Sequence, residues 1–374
     1  VVVAGTNGKG STSKALEHLF LSVNKSVGLF TSPHLFQINE RIRVNGADMT
    51  DEQLVQGYLR WQKTFDEFGF SHFEVLAWLA FDCFFAMQRP GLDVVILEVG
   101  VGGLFDPANL HEHQISVLTP IDFDHVKVLG GSLPEIAGHK WGIVKPGQIV
   151  VHEDWPLSLK RPWLEQCKKW DSTVTLLKRK SWKSVIEKSG DPRPTMTGPW
   201  GEATLQMYGR RSIENMERAL TVFETLGGDL TQVKSALESW FWPGRFEQLI
   251  GCKSKAKVFV SGDHNVNGIE SLQDLLRDFI YEKIYFICGV SAHKDRQQIE
   301  SKLVQTEGAE LIRVAPAFGS DLGLGTWQEA LRDTSARATN RDLIVITGSL
   351  YLAGEVLQHF RSQNLGGEKP FLNK

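Results

Sequence analysis

A glycine-rich turn between a β-branched run and a helical pattern opens this sequence and constrains its fold more than any other feature. Residues 1–4 are Val-Val-Val-Ala, which favours a strand, and residues 11–23 place apolar side chains at helical spacing. The turn between them contains Gly5, Gly8 and Gly10. Glycines let backbone N–H groups approach a phosphate closely, and the N-terminus of the following helix attracts an anion. This order of elements predicts a phosphate-binding loop in a parallel α/β sheet.

The spacing within the loop is GxxGKGS, shorter than the common GxxxxGK[ST] motif. Lys9 is placed to reach the β- and γ-phosphates, and the hydroxyl of Ser11 or Thr12 to meet a phosphate oxygen or Mg²⁺. The residues expected to contact the nucleotide here are Thr6, Asn7, Gly8, Lys9, Gly10, Ser11 and Thr12. The alternative is a plain tight turn in which Ser11 caps the helix.

Composition limits the class of protein. The length of 374 residues suggests about two domains, and 42% hydrophobic with 23% charged residues is ordinary for a globular chain. Disorder, collagen and coiled coil are thereby excluded. The longest apolar segment, residues 73–85, is broken by Glu74 and Asp82, so we expect no membrane span. A net charge of −3 gives no electrostatic reason to expect nucleic acid.

The four cysteines are scattered, at positions 83, 167, 252 and 288, with neither a CxxC motif nor metal-ligand spacing. Together with the lack of a signal-peptide pattern, this predicts a cytoplasmic protein with reduced thiols. The sequence begins at Val1 without a methionine and enters a strand directly, so we expect an N-terminal segment to precede it.

Strand and helix patterns alternate in both halves of the chain. In the first half, strands are expected at residues 27–30, 92–97 and 115–119, and helices at residues 73–87 and 213–226. After Pro243 we expect strands at residues 257–260, 284–288, 311–314 and 343–347, and helices at residues 268–280, 296–305, 327–337 and 350–361. We therefore predict an α/β fold with an N-terminal P-loop-type parallel sheet domain, residues 1–242, and a smaller C-terminal Rossmann-like α/β domain, residues 243–374.

Potential metal ligands follow three of the predicted strands. Ser32 follows the strand at residues 27–30, Glu98 ends the next one, and His125 follows the third. Because open α/β sheets bind ligands at the carboxyl ends of their strands, these side chains are expected to converge beside the phosphate loop and to hold Mg²⁺. For a single Glu or His, a helix cap or a satisfied core residue is the alternative. The run His111-Glu112-His113 is interpreted as a solvated loop rather than a metal site.

Several segments, in one order along nearly the whole chain, resemble the folylpolyglutamate synthase/dihydrofolate synthase family of the Mur ligase superfamily. They are residues 5–12, 31–35, 39–43, 98–103, 124–125, 136–143, 243–245 and 348–350. The resemblance implies ATP and two Mg²⁺ ions, one held by Ser32 and Glu98 and the other by Glu98 and His125. It also implies that Lys140 is carbamylated and faces the metal. The alternative for Lys140 is an ordinary surface lysine.

The resemblance assigns further nucleotide contacts to Asn215, Arg245 and Ser261, and a catalytic role to His264 beside Lys9, Glu98, His125 and Lys140. Asn215 opens the predicted helix at residues 213–226, so a helix cap is the alternative. Ser261 stands where the family has an aspartate, while an acid appears two residues later at Asp263. Either Ser261 donates to ATP itself, or Asp263 replaces the missing carboxylate.

Two segments match those that hold dihydropteroate in the family: Ser71-His72-Phe73-Glu74 and Phe105-Asp106-Pro107. Phe73 would offer a stacking face and Glu74 an acceptor for pterin N–H groups. Packing in a helix core is the alternative for Phe73. Leu104 stands where an arginine is frequent in bacterial members.

The family's reaction implies folate or dihydropteroate and L-glutamate as substrates, ATP and Mg²⁺ as cofactors, and a monomeric ligase. ATP would phosphorylate the acceptor carboxylate, and the amine of glutamate would then attack the acyl phosphate. Residues 1–242 would bind ATP and residues 243–374 would form the glutamate-ligase domain. Two alternatives are a peptidoglycan-type Mur ligase and a catalytically weak nucleotide-binding relative.

Overall fold

A computed structural model describes residues 1–87, 91–170, 173–176, 182–291, 294–316 and 324–364. The chain divides into two units, which are described separately. The first unit comprises Val1–Val185, Thr195–Gln206 and Arg211–Trp240. The second comprises Ile186–Pro194, Met207–Arg210 and the chain from Phe241 onward.

An eight-stranded sheet organises the first unit. Its strands are β1 (Val2–Ala4), β2 (Val27–Phe30), β3 (Ile42–Val44), β4 (Ala47–Asp48), β5 (Val94–Glu98), β6 (Ile115–Leu118), β7 (Ile149–His152) and β8 (Thr173–Leu176). Their spatial order is β4-β3-β2-β5-β1-β6-β7-β8. The six strands from β2 to β8 in that order are parallel, and β3 and β4 extend the edge as an antiparallel hairpin. β1 therefore lies in the interior of a parallel sheet, as the buried Val-Val-Ala run predicts.

A small antiparallel sheet completes the strands of this unit. It contains β9 (Lys183–Val185), β10 (Thr195–Gly198) and β11 (Gly201–Thr204). The α-helices are α1 (Lys9–Ser22), α2 (Asp51–Phe68), α3 (His72–Phe81), α4 (Val126–Leu129), α5 (Leu133–Trp141), α6 (Leu157–Trp170), α7 (Arg210–Thr225) and α8 (Lys234–Ser239).

Local capping decides where several of these helices begin. Ser71 accepts from the backbone N–H of Glu74 and Glu74 accepts from that of Ser71, a capping box that starts α3. Ser132 and Glu135 do the same at the start of α5. The helix predicted at residues 73–87 is regular only to Phe81, and a π-helical turn, Asp82–Met87, follows it.

A five-stranded sheet organises the second unit. Its strands are β12 (Glu247–Gln248), β13 (Lys257–Val260), β14 (Ile284–Cys288), β15 (Ala309–Arg313) and β16 (Leu343–Thr347), in the order β12-β13-β16-β14-β15. All pairs except the antiparallel β12–β13 pair are parallel. The helices are α9 (Val266–Leu276), α10 (Arg296–Val304), α11 (Trp327–Arg337) and α12 (Leu350–Asn364).

The predicted α/β class is confirmed, with a large, mainly parallel sheet and a second α/β sheet. The strands predicted at Lys257–Val260, Ile284–Cys288 and Leu343–Thr347 begin and end at the predicted residues. None of the described helices is both long enough and apolar enough to cross a bilayer.

Candidate active site

The ends of three parallel strands meet at the start of the glycine-rich loop. In β1, Val3 pairs with Glu98 of β5, and Ala4 pairs with Leu118 of β6. The pairing continues past the strand ends, because Val99 N donates to Val3 O at 3.0 Å and Thr119 N donates to Ala4 O at 2.8 Å. The loop after β1 thus begins between the ends of β5 and β6, where open α/β sheets place their ligands.

Glycine is required at two positions of this loop. Gly5 has φ +151°, and a methyl group there would lie 1.9 Å from Thr119 Oγ1. Gly8 has φ +88°, and a methyl group there would lie 2.6 Å from Asn215 Oδ1. Both positions therefore combine a backbone conformation that favours glycine with a neighbour that excludes a side chain.

The remaining loop residues form a turn and the first turn of α1. Thr6 N donates to Pro120 O, and its hydroxyl donates to Asp122 O at 2.9 Å. Lys9 folds back so that Nζ donates to the carbonyl oxygens of Gly5 and Thr6, each at 3.1 Å. Asn7 and Gly10 are half-buried and Ser11 is buried. The local contacts are thus those of a preformed loop followed directly by a helix N-terminus.

Asn215 lies against this loop although it is more than 200 residues away in sequence. Its Oδ1 accepts from Thr12 Oγ1 at 3.3 Å and from Arg218 Nη1 at 3.0 Å. α7 begins at Arg210, so Asn215 is in the second turn of the helix rather than at its start. The prediction that Asn215 opens the helix is therefore wrong, and so is the alternative of a helix cap. The side chain contacts the loop and the Arg218 side chain, and it does not cap its helix.

Lys140 is buried, with 4% of its surface exposed, so the alternative of a surface lysine is wrong. It lies in the last turn of α5, and Nζ donates to Gly5 O at 2.8 Å. Burial, assisted by the nearby charge of Lys9, lowers the pKa of Lys140 to about 7. A substantial fraction of this amine is therefore neutral near physiological pH, and it contacts the first residue of the phosphate loop.

Glu98 and Ser32 are brought together at the ends of β5 and β2. Ser32 N donates to Glu98 Oε2 at 3.0 Å, and Glu98 is 4% exposed. His125 is exposed and adopts a left-handed conformation, φ +50°, directly before α4. Among the described residues, no three His, Cys, Asp or Glu side chains group closely enough to hold a metal. The donor set suits a hard cation that takes few protein ligands and completes its shell with phosphate oxygens and water, as Mg²⁺ does.

The two predicted pterin segments meet at Gly100. Asp106 Oδ2 accepts from Gly100 N at 2.9 Å, and a methyl group at Gly100 would lie 2.7 Å from the ring of Phe73. The Phe73 ring is half-buried and lies 5.7 Å from that of Phe30, so its contacts favour the core alternative. Phe105, in contrast, is 83% exposed.

Both acids of these segments have structural partners. Asp106 also accepts from the backbone N–H groups of Val101 and Ala108, while its burial raises its pKa. Glu74 caps α3 through Ser71, and these hydrogen bonds lower its pKa. Pro107 begins a short 3₁₀ turn that Asp106 caps, and His72 is exposed at the start of α3. The acids thus shape the two segments.

Two of the second unit's predicted residues lie on neighbouring loops. Ser261 and Arg245 are adjacent in sequence to Gly262 and Gly244. Gly262 N donates to Gly244 O at 2.8 Å, which joins the two loops. Ser261 Oγ donates to Asp263 Oδ2 at 2.6 Å. Arg245 Nε is buried and has no acceptor among the described residues. His264 Nδ1 lies 2.8 Å from Gly262 O, so the histidine belongs to the same loop.

The interpretation of residues 111–113 as a solvated loop is wrong for His113. This side chain is half-buried, and its Nε2 lies 3.0 Å from Ser116 Oγ. Burial lowers the pKa of His113 to about 4, which keeps the ring neutral. His111 is exposed, but its ring packs 4.6 Å from that of Phe81.

Sequence reasoning missed four residues that shape the first unit's site: Thr119, Asp122, Glu153 and Arg218. Thr119 and Asp122 could not be singled out, because their contacts with the loop depend on the register of β6. Arg218 carried a signal, since a residue three positions after Asn215 on a helix faces the same side.

A phosphate-type loop in a parallel sheet, flanked by a buried carboxylate and a buried lysine, defines a nucleotide-dependent enzyme of the α/β class. No family model matches the chain. Folylpolyglutamate synthase of Lacticaseibacillus casei is 29% identical over 95% of this chain and 88% of its own length. The dihydrofolate synthase/folylpolyglutamate synthase of Buchnera aphidicola subsp. Acyrthosiphon pisum is 30% identical over 78% of this chain and 69% of its own length. A solved FPGS–AMPPCP–folate complex is 30% identical, with a TM-score of 0.82, over 98% of this chain and 90% of its own.

The chain belongs to the folylpolyglutamate synthase/dihydrofolate synthase family, and it is an ATP-dependent ligase. The family expected from the sequence motifs is thereby confirmed, and the peptidoglycan-type alternative is set aside.

Replacing Gly8 by alanine should weaken binding of the ATP analogue AMPPCP by at least about tenfold. The methyl group would collide with Asn215 Oδ1, and φ +88° is unfavourable for alanine, so the loop must shift. Isothermal titration calorimetry measures the effect. Gly190→Ala is the matched control, because no atom of the described residues, its chain neighbours aside, lies within 4 Å of its added methyl group. Unchanged affinity in Gly8→Ala would contradict the geometry described for this loop.

Proposed function

We propose that this chain joins L-glutamate to the carboxylate of a folate or of dihydropteroate, with ATP as the phosphoryl donor. The observation that carries the proposal is the phosphate loop, whose first carbonyl oxygen, that of Gly5, accepts from the buried Lys140. Relatives named for folylpolyglutamate and dihydrofolate synthesis support the choice of substrates. Glutamate as the second substrate and a monomeric enzyme belong to the same proposal.

The reaction requires two successive transfers. The acceptor carboxylate attacks the γ-phosphorus of ATP, which forms an acyl phosphate and releases ADP. The amine of glutamate then attacks the acyl carbon, the amide bond forms, a proton leaves the nitrogen, and inorganic phosphate departs. The protein's task is to position the reactants and to neutralise charge around the transferred group. Lys9, in the phosphate loop, is the cation that we assign to this task in the first unit.

Ser32, Glu98 and His125 are the residues that would hold Mg²⁺. When bound, the ion would neutralise phosphate charge and favour transfer of the γ-phosphoryl group. Glu98 already accepts a hydrogen bond from the backbone of Ser32, which fixes one of its oxygens at the ends of β5 and β2. His125 is exposed and lies directly before α4.

Lys140 is proposed to carry a carbamate. Carbamate formation needs a neutral amine, and burial, with the nearby Lys9, lowers the pKa of Lys140 to about 7. The amine would add to CO₂ and lose a proton, so a cation in a buried position would become an anion. An anion near Lys9 and a bound divalent cation is favoured by the same electrostatics that disfavour the ammonium.

Ser261 and Asp263 are proposed to act together in place of the family's single aspartate. The Ser261 hydroxyl donates to the Asp263 carboxylate at 2.6 Å, so a negative charge lies beside the Ser261 position. This contact favours the alternative in which Asp263 supplies the missing carboxylate. It also argues against the alternative of a catalytically weak nucleotide-binding relative, because residues 261–263 retain a carboxylate.

The proposed function is tested by ADP release. We expect release that needs a pterin acid and L-glutamate together, with dihydropteroate and a reduced folate monoglutamate assayed separately. Activity with both acceptors would indicate both synthase activities. Lys9→Ala is the negative control, because it removes the cation from the loop, and its melting temperature checks that it is folded. ADP release independent of glutamate, or near-normal turnover by Lys9→Ala at saturating ATP, would contradict the proposal.

Glu98→Gln should lower the turnover number by roughly 100-fold or more, because an amide cannot offset the charge of a divalent cation. Steady-state assays over a range of Mg²⁺ concentrations measure the loss. Glu67→Gln, a change at an exposed position of α2, should leave the rate unchanged. Full recovery of Glu98→Gln in excess Mg²⁺ would show that Glu98 is not a metal ligand.

Lys140→Ala should be nearly inactive, and acetate or formate should restore part of the activity by occupying the vacated anionic position. Lys140→Arg should stay inactive, because a guanidinium does not form a carbamate under these conditions. Lys168→Ala, at an exposed lysine of α6, is the control. The wild-type carbamate should appear by ¹³C NMR after equilibration with labelled bicarbonate. An active Lys140→Arg enzyme would refute the modification.

A further inference from the structure

We propose that Arg218 is a positioning residue that fixes the orientation of the Asn215 amide, so that Asn215 presents its Nδ2 hydrogens to a nucleotide bound at the phosphate loop. The inference rests on the proposed function only in placing the nucleotide beside that loop. It assigns Arg218 a part in recognition although its side chain donates hydrogen bonds to Asn215 and Glu153 and not to the loop.

Arg218 is among the most buried charged residues of the protein, with 1% of its surface exposed. Its guanidinium makes two contacts in different directions. Nη2 donates to Glu153 Oε2 at 2.8 Å, directly after β7, and Nη1 donates to Asn215 Oδ1 at 3.0 Å. Because the guanidinium is planar and rigid, anchoring one end on Glu153 fixes the direction in which the other end donates.

The oxygen of Asn215 is fully used within the protein. Thr12 Oγ1 donates to it at 3.3 Å in addition to Arg218, and a carbonyl oxygen has two lone pairs. No described residue accepts a hydrogen bond from Nδ2. The hydrogen-bonding capacity that the amide still offers near Gly8 is therefore that of Nδ2, which lies 3.7 Å from the position of a Cβ atom at Gly8 and suits an acceptor such as a phosphate oxygen.

The opposite orientation of the amide is nearly identical in shape but not in chemistry. A flipped Asn215 would point its NH₂ group at the Arg218 donor, and donor would face donor in a buried position. Its oxygen would then face the nucleotide and repel phosphate. Arg218 thus determines whether the nitrogen or the oxygen of the Asn215 amide is available to the nucleotide. The ion pair with Glu153 holds Arg218 in the orientation that selects the nitrogen.

A purely structural ion pair is the competing explanation, and it makes different predictions. Breaking a buried pair destabilises the fold whether or not Asn215 is present. A positioning role acts through Asn215, so its effect on nucleotide affinity must vanish once Asn215 is removed. Stability and affinity therefore separate the two explanations.

The experiment measures AMPPCP dissociation constants and melting temperatures for the wild type, Asn215→Ala, Arg218→Met and the double variant. We expect Asn215→Ala to weaken binding by about tenfold and Arg218→Met by about three- to tenfold. The double variant should bind within about twofold of Asn215→Ala. Affinity losses that multiply in the double variant would overturn the proposal. Arg60→Met is the control, since it breaks the ion pair with the buried Asp82, and its affinity should equal that of the wild type.

Two further variants keep the test decisive if Arg218→Met fails to fold. Asn215→Asp keeps an oxygen toward Arg218 and strengthens that contact, but it removes both donors. We expect it to melt no lower than the wild type and to lose at least about tenfold in affinity. Arg218→Lys keeps the charge beside Glu153 without the rigid fork, and we expect an intermediate affinity. Wild-type affinity in either variant would overturn the proposal.

Failure of the proposed function has a different signature. A wild-type protein that binds AMPPCP but releases no glutamate-dependent ADP would contradict the ligase proposal and leave the role of Arg218 to be judged on affinity. Normal ligase activity with wild-type affinity in Arg218→Lys and Asn215→Asp would contradict the role of Arg218 alone.

Discussion

The backbone pairing of β1 with β5 on one side and β6 on the other is the interaction on which the rest of the site depends. Because Val3 pairs with Glu98 and Ala4 with Leu118, the loop that starts at Gly5 emerges between two other strand ends. A shift of one residue in this register would turn every side chain to the other face of the sheet. Glu98, now beside Ser32, would then lose its place at the loop.

Buried charge at this strand edge is held by hydrogen bonds already present in the folded chain. Lys140 donates to Gly5 O and Glu98 accepts from Ser32 N, while Arg218 bridges Glu153 and Asn215. Burying each of these groups without a partner would lower the free energy of unfolding by several kcal/mol. Folding therefore fixes the direction of these donors and acceptors before any ligand binds.

The same residue types serve caps and substrates, and this limited the sequence-based assignment of the pterin segments. Glu74 was expected to accept from a pterin, yet it caps α3 through Ser71, and Asp106 holds three backbone N–H groups. The reverse holds for Asn215, because a residue for which a helix cap was the alternative lies in the second turn of α7 and contacts the loop instead. Carboxylates and amides suit both roles, so residue type and position alone do not separate them.

The sequence by itself determined the parallel α/β class, the phosphate loop and the family. The class and the loop depend on the spacing of apolar residues along each segment and on glycines between a strand and a helix. The family depends on the order of the motifs along the chain. Only the tertiary structure decided that Lys140 contacts Gly5, 135 positions away, and that Asn215 reaches Thr12 across 203 positions. It also decided that Arg218 is anchored by Glu153. Contacts of this range follow from how helices pack on a sheet of fixed register, and no local pattern encodes that packing.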